Sequence, residues 1–347
     1  MVLSGKRIQM MKNKQKLILF ALVLGLLLTM LATLTIGPVH IPAGTVVKII
    51  FSKIFAVPQT WPDNFQQIVL NVRLPRILLA VLAGCALSVS GCAMQGLFRN
   101  PMASPYICGV ASGGAFGASL IIAFNISHLL IIPTAFFFAL LAVFLVYNLA
   151  RAGNKIPVET LLLSGIALSL FFSALTSFVQ YVSKEGELRQ IIFWLMGGFW
   201  ASSWNKVLGS FPVIFTGVLG IFFFSRELNI LLIGEDQAQD MGVEVEITRK
   251  AILILSALVT ASAVAACGII GFVGLIIPHI MRIIIGPDHR FLLPASAVCG
   301  SIFLVWVDTF ARTLISPTEL PVGIITALIG VPFFLFLLKT RKKLSGF

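Results

Sequence analysis

The sequence predicts an all-α polytopic membrane protein with about ten transmembrane helices. Of its 347 residues, 58% are hydrophobic and only 11% are charged, whereas a soluble domain carries roughly a quarter charged residues. Several apolar runs reach the ~20 residues that a helix needs to cross a hydrocarbon core about 30 Å thick. The chain is therefore predicted to form a single membrane domain over residues 1–347, with only its loops and tails in water.

Proline, glycine and charged residues divide the apolar sequence into ten candidate spans. The first, 17–36, is too long for an ordinary signal peptide and is expected to be retained. The second, 66–98, is long enough for a tilted helix that extends beyond the bilayer. The eighth, 271–285, is short for a full span and is expected to need protein around it. The other candidates are 106–124, 128–150, 158–183, 204–224, 246–267, 291–312 and 322–338.

The placement of positive charge predicts that both termini are cytoplasmic. Lysine and arginine residues cluster before the first span and after the last one, and together they account for much of the net charge of +12. Basic residues that flank spans usually mark the cytoplasmic side, and an even number of crossings agrees with this. The pattern is typical of contact with membrane lipid and excludes nucleic acid as a partner. The predicted outer loops are 37–65, 125–127, 184–203, 268–270 and 313–321.

The longest predicted inner loop, 225–250, has helical patterning. Gly234 is expected to divide it into two short amphipathic helices. This loop is interpreted either as a cap on the bundle or as a docking surface. Its apolar face would contain Leu228, Leu231, Leu232 and Met241, and its acidic face Glu235, Asp236 and Asp240.

Three arginines lie on the predicted outer side, against the positive-inside tendency. Arg73 and Arg76 begin the second span, and Arg312 ends the ninth. Their placement suggests an acidic partner, although snorkelling towards lipid headgroups would also explain it. Asp308 lies four residues before Arg312 on one helical face, and this spacing permits an ion pair between them.

The sequence lacks the common motifs of enzymes and metal sites. It has neither a G-x-x-x-x-G-K-[ST] phosphate loop nor H-E-x-x-H, and its five cysteines form no C-x-x-C pair. We therefore expect no catalytic residue, cofactor or metal, and ATP hydrolysis would require a separate subunit. The spans contain Gln95 and Gln180 among many apolar residues, which suits an uncharged passage for a large ligand. An ion-coupled secondary transporter and a membrane scaffold remain alternatives.

Several motifs resemble the permeases of ABC importers for iron siderophores, haem and vitamin B12. They begin with RLPR (73–76), SGCAMQ (90–95), RNPMASP (99–105) and GVASGG (109–114). The resemblance continues through GIIGFVGLIIPHIMR (268–282), DHRFLLPASAVCG (288–300) and ELPVGIITALIGVPFF (319–334), and it covers nearly the whole chain.

This resemblance implies a BtuC-like type II ABC importer permease fold with ten helices per subunit. It also implies a homodimer with one path along its axis, two cytoplasmic ATP-binding subunits and an extracytoplasmic substrate-binding protein. The expected location is the plasma membrane of a bacterium or archaeon. The expected cargo is an iron chelate, such as a ferric siderophore or haem. Cobalamin or an oxyanion is the alternative on the same fold.

The resemblance also implies roles for particular residues. Arg73, Arg76 and Arg312 would accept acidic residues of the binding protein. The coupling helices that dock into the ATPase would lie in 228–242, with Gly234 at the turn. The residues expected to contribute there are Leu231, Gly234, Glu235, Asp236, Ala238, Met241 and Gly242. Gln95 and Gln180 are the candidates for the translocation path.

Overall fold

The computed structural model describes residues 5–344 except 54, 56–57, 152 and 154–156, and all regular structure in these residues is helical. Fifteen α-helices follow one another along the described chain. They are Gly5–Thr35 (α1), Ala43–Phe51 (α2), Asp63–Gln67 (α3), Leu74–Leu97 (α4), Val110–Ala123 (α5), Ile131–Ala150 (α6), Val158–Val182 (α7), Glu185–Met196 (α8), Trp204–Phe223 (α9), Ser225–Leu231 (α10), Glu235–Asp240 (α11), Val245–Cys267 (α12), Val273–Ile285 (α13), His289–Ala311 (α14) and Val322–Leu344 (α15).

The ten apolar segments of the sequence all form helices. Within the described residues, seven helical segments are long and apolar enough to cross a membrane, and three more are shorter but apolar. The shorter three are α5, α13 and the apolar part of α15. The all-α, roughly ten-span prediction is therefore confirmed. Two of the predicted outer loops also contain helices, namely α2 in 37–65 and α8 in 184–203.

The core of the bundle consists of α4, α12, α13 and α14. In the most apolar windows of the α4 and α12 spans, 78% and 72% of residues are buried, compared with 17–28% for the spans of α1, α6, α7 and α9. Glycines let the core backbones approach each other closely, which is how helices associate in lipid. A Cβ on Gly84 would lie 2.3 Å from the Gly300 carbonyl oxygen, and one on Gly91 would lie 1.9 Å from that of Gly274.

The helix that contains α4 begins with an irregular stretch. Residues Ile68–Arg73 form a π-helical turn between α3 and α4. Pro75 lies in the first turn of α4 and has no N–H to donate to a carbonyl four residues earlier. A wider turn before the proline accommodates this missing bond. The turn brings Arg73 and Arg76 to the end of the bundle, where both side chains point into the protein.

The predicted docking and coupling residues lie at two opposite ends of the bundle. The arginine end contains the start of α4, the end of α14 and the helix α8. The loop end contains α10 and α11 together with the start of α14. The short helix α13 is largely buried between α4 and α14, as expected for a segment too short to cross a bilayer alone.

Candidate functional site

A buried ion-pair network lies at the arginine end. The Arg76 guanidinium binds both carboxylate oxygens of Asp308, with contacts of 2.8 to 3.0 Å. Its third nitrogen donates to Glu319 Oε1 at 2.9 Å. The ion pair that helical spacing permits between Asp308 and Arg312 is not formed, because Asp308 pairs across helices with Arg76. Helical spacing identifies only neighbours on the same helix, and the partner of Asp308 lies 232 residues away.

The other two arginines cap the end of α1. Arg73 donates to the carbonyl oxygens of Leu34, at 2.5 Å, and Val39. Arg312 donates to the Thr33 carbonyl oxygen at 2.6 Å. The last carbonyls of a helix have no partner within it and carry partial negative charge. The two cations therefore stabilise the C-terminus of α1 and the turn that follows.

All three predicted arginines lie at one end of the bundle, but none is freely exposed. The relative exposures of Arg73, Arg76 and Arg312 are only 3%, 7% and 4%. Because these side chains are buried in the protein, they do not extend towards lipid headgroups. Within the described residues, this cluster holds three guanidinium groups against the two carboxylates of Asp308 and Glu319. The cluster therefore keeps a net positive charge. We call these five residues the arginine cluster.

The loop end contains the predicted pair of short helices. Helix α10 ends at Leu231, and α11 begins directly after Gly234. Gly234 has φ of 154°, which a residue with a side chain rarely adopts. The predicted break at this glycine is therefore present in the structure.

The apolar residues of this loop divide into two groups. Leu228, Leu231 and Ala238 are buried against the bundle. Leu232 and Met241 are 38% and 56% exposed. The expected single apolar face is therefore wrong, because half of it packs inside the chain and half faces outwards. The exposed apolar group also includes Ile233 and Ile247. The acidic residues Asp236 and Asp240 are exposed as well.

Helix α11 is tied to α12 by an arginine. Arg249 has a side chain only 5% exposed, and it binds Glu235 Oε1 and Glu246 Oε1, each at 2.6 Å. Glu235, which was predicted to face the ATPase, therefore also holds the loop in place. Asp236 and Gly242 are exposed on the surface of this loop that faces away from the bundle.

Helix α10 is tied to the start of α14. Asn229 Nδ2 donates to Asp288 Oδ1 at 2.7 Å, and Asn229 Oδ1 accepts from the His289 backbone N–H at 2.8 Å. His289 Nδ1 lies 2.9 Å from the same oxygen, so the ring carries its hydrogen on Nδ1 in this arrangement. The buried His289 ring also abuts Gly96 of α4, where a Cβ would lie 2.4 Å from Nε2. We call Asn229, Asp288 and His289 the α10–α14 link.

Asp288 remains ionised in this link. Burial alone would raise its pKa, but hydrogen bonds from Arg290 and Asn229 outweigh that effect and leave the pKa below its usual value. Asp288 also accepts from the Arg290 backbone N–H and so caps the N-terminus of α14. One carboxylate thus connects a helix start, an arginine and the loop helix α10.

The two predicted pathway glutamines have different surroundings. Gln95 is 2% exposed, and its Nε2 donates to the carbonyl oxygens of Gly274 and Leu275, at 3.4 and 3.1 Å. It therefore joins α4 to α13. Gln180 is half-buried near the end of α7. It follows Ser173 and Ser177 by seven and three residues, so the three share one face of α7.

Comparison with known proteins identifies the family. The model of the FecCD transport family matches residues 13–340. The chain belongs to the FecCD transport family. It is 47% identical over 284 residues to a cobalamin import permease of Halobacterium salinarum, covering 81% of this chain and 76% of that protein. It is 40% identical to a hemin transport permease of Yersinia pestis, covering 94% and 98% of the two chains.

A solved structure has the same fold as this FecCD chain. It is described as the inward-facing conformation of a metal-chelate type ABC transporter and is 38% identical in sequence. The TM-score is 0.82, and the match covers 93% of this chain and 99% of the other. The FecCD chain is thus a multi-pass membrane permease of the ABC importer type.

The FecCD chain contains functional candidates that motif spacing does not reveal. Glu319, Asn229 and His289 all bind partners more than fifty residues away in sequence. The sequence signal that could have identified these residues is their chemistry. An asparagine, a histidine or a carboxylate beside apolar spans needs a hydrogen-bond partner when it is buried. Helix α14 carries parts of both sites, with Asp308 in the arginine cluster and His289 in the α10–α14 link.

Proposed function

We propose that this chain is the transmembrane permease subunit of a binding-protein-dependent ABC importer for an iron chelate, either a ferric siderophore or haem. It acts as a homodimer in the plasma membrane of a bacterium or archaeon, with both termini cytoplasmic. Two cytoplasmic ATP-binding subunits hydrolyse ATP, and an extracytoplasmic protein delivers the cargo. The loop end then faces the cytoplasm, and the arginine end faces outwards.

The FecCD family match over residues 13–340 carries the permease part of this proposal, and the continuity of α14 between the two sites carries its coupling to an ATPase. The helix has 23 residues, so it is about 35 Å long at ~1.5 Å per residue. One end is bonded to α10 through the α10–α14 link, and the other to α4 through Arg76 and Asp308. Displacement of α10 by an ATPase would therefore move α14 and reach the opposite end of the bundle. ATP can drive such a change only through contacts that differ between the two states.

The exposed part of the loop supports docking of the ATPase. The apolar residues Leu232, Ile233 and Met241 are 38%, 64% and 56% exposed on this loop, which also carries the exposed Asp236 and Asp240. We call these three apolar residues the apolar projection. An apolar projection at the water-facing end of a membrane protein is typical of a protein interface. In this proposal these side chains enter a cleft of the ATPase, while Leu231 and Ala238 anchor the loop from inside.

The arginine cluster supports docking of an acidic binding protein. Arg73 and Arg312 have carbonyl partners rather than carboxylates, so their positive charge is not neutralised. We expect Arg73→Gln and Arg312→Gln to weaken binding of the binding protein most at low salt, because screening is weakest there. Lys184→Gln, which removes an exposed charge at the same end, is the control. If both arginine variants bound the binding protein as tightly as the Lys184→Gln control, docking at these arginines would be refuted. Arg76 is not substituted in this test, because the buried Asp308 carboxylate depends on it.

A polar face on α7 is consistent with the proposed homodimer and with a translocation path between its two copies. Ser173 and Ser177 are exposed within a span, where polar groups facing lipid are unfavourable. Together with Gln180 they form a polar stripe that suits the space between two copies of the chain. In this proposal Gln180 lines the path, whereas Gln95 supports it from behind by joining α4 to α13.

Uptake into proteoliposomes tests the cargo. The complete complex with its binding protein would be supplied with a ferric siderophore, haem, cobalamin and molybdate, each with and without ATP. ATP-dependent accumulation of an iron chelate is the expected result. Cobalamin is the second candidate because of the 47% identity to a cobalamin permease, and preferential cobalamin uptake would replace the iron-chelate assignment. Gradient-driven uptake by the chain alone would instead indicate an ion-coupled carrier.

A further inference from the structure

A positively charged cavity lies at the arginine end, apart from the arginine cluster. It has a volume of about 640 Å³ and is bounded by α8, by the starts of α6 and α9, and by the end of α12. Arg189, Lys206 and His128 line it, and no carboxylate does so among the described residues. Its aromatic wall consists of Phe193, Trp194 and Trp200. We call this cavity the cationic cup.

Two basic side chains of the cup, those of Arg189 and Lys206, are available to an anion. The Arg189 guanidinium lies 5.9 Å from the centre of the Phe193 ring, a cation–π contact that holds it beside the cup. In the described residues the Lys206 ammonium donates a single hydrogen bond, to the Ala266 carbonyl oxygen at 3.3 Å. An ammonium has three hydrogens to donate, so two remain for a ligand.

An apolar groove continues from the cup into the depth of the bundle. A second cavity of about 200 Å³ shares Ile132, Lys206 and Ala265 with the cup. It lies between α6 and α9, which both pack on α12. Its walls are mainly apolar and include Pro133, Phe136, Gly209 and Val213. From Lys206 to Val213 the helix α9 advances seven residues, about 10 Å along its axis.

We propose that the cup and the groove together bind an anionic phospholipid. The phosphate lies between Arg189 and Lys206, and the part of one acyl chain nearest the headgroup lies in the groove. A free phosphate would leave the groove unused, and a zwitterionic lipid would bring a cation to a cup that already has two. Trp200 and Trp204 are 40% and 36% exposed at this end. Exposed tryptophans are typical of the headgroup level of a membrane, which places the cup where a lipid phosphate lies.

Native mass spectrometry of the purified chain tests the proposal, with phosphatidylglycerol and phosphatidylcholine as probes. The variant Arg189→Gln/Lys206→Gln removes the cationic pair. The variant Lys48→Gln/Lys53→Gln removes two exposed charges that do not line the cup and is the matched control. The variant Gly209→Leu fills the groove, since a Cβ at Gly209 would meet no atom within 4 Å. This leucine would therefore occupy the groove without disturbing the backbone.

We expect the unmodified chain to retain phosphatidylglycerol in preference to phosphatidylcholine. Retention should fall roughly tenfold in the cup variant, since each basic residue near an anionic lipid contributes to binding. It should also fall in Gly209→Leu and stay unchanged in the control. Equal retention of the two lipids, an equal loss in the control, or normal retention in both the cup and groove variants would overturn the proposal. Displacement of phosphatidylglycerol by millimolar inorganic phosphate would assign the cup to a free anion and also overturn it.

Discussion

Removing one partner of the Arg76–Asp308 pair should strongly destabilise the protein. Asp308 is 1% exposed and receives three hydrogen bonds from Arg76. In Arg76→Gln the carboxylate would stay buried without its cation. Breaking a buried ion pair from one side costs about 3–5 kcal/mol. We therefore expect the free energy of unfolding to fall by that amount in Arg76→Gln.

Substitution of the other partner, Asp308→Asn, should lower the free energy of unfolding by less. Asp308→Asn keeps the size of the side chain, and Arg76 retains Glu319 at 2.9 Å as a charged partner. The loss is then that of charge-assisted hydrogen bonds, about 1.5–3 kcal/mol. In the double variant Arg76→Gln/Asp308→Asn no unpaired Asp308 carboxylate remains. Its total loss should be smaller than the sum of the two single losses by about 1–3 kcal/mol.

Unfolding by SDS in mixed micelles, followed by far-ultraviolet circular dichroism, measures these differences. Arg290→Gln is the control, because Arg290 forms a similar pair with Asp288 but its side chain is 59% exposed. An exposed pair of this kind contributes about 0–1 kcal/mol. Additive losses in the double variant, or a loss for Arg76→Gln no larger than that for Arg290→Gln, would refute the role assigned to burial.

Three further predictions concern coupling, docking and packing. In the complete complex, Asn229→Ala should reduce uptake severalfold while ATP hydrolysis continues, because the α10–α14 link is lost; equal loss of both in proteoliposomes would contradict this. Leu232→Asp should abolish co-purification of the ATPase while the chain keeps its elution volume, because it places a charge in the proposed apolar interface. Gly91→Ala should lower the SDS unfolding midpoint through its clash with Gly274, at a cost of about 1–3 kcal/mol or more. Gly209→Ala, with open space around its Cβ, should leave the midpoint unchanged or raise it.

Much of the fold can be predicted from local patterns because lipid constrains each span separately. The segment 271–285 illustrates this, since its length alone indicates that protein must surround it, and α13 is largely buried. Gly234 is similar, because a glycine between two short patterned stretches predicts a break. The helix α8 within 184–203 is different. It lies in a segment predicted only as an outer loop, and the bundle positions it.

The candidate sites are predicted less completely. The charge rule identifies Arg73, Arg76 and Arg312 as unusual, and the structure brings them together. Their partners, however, depend on which helices pack side by side. Asp308 pairs with Arg76 because α4 and α14 are neighbours in the core, and helical spacing on α14 alone offers only Arg312 as a partner.

The amino-acid sequence by itself determined the membrane class, the approximate number of spans, the family and the positions of the two candidate sites along the chain. These properties follow from composition, run length and motifs, each of which is local along the chain. Only the tertiary structure decided which polar side chains are bonded together, which half of the 225–250 loop faces outwards, and where the cationic cup meets its groove. The physical reason is that a buried polar group takes its partner from whichever helix lies beside it, and that neighbour is set by close packing across the whole bundle.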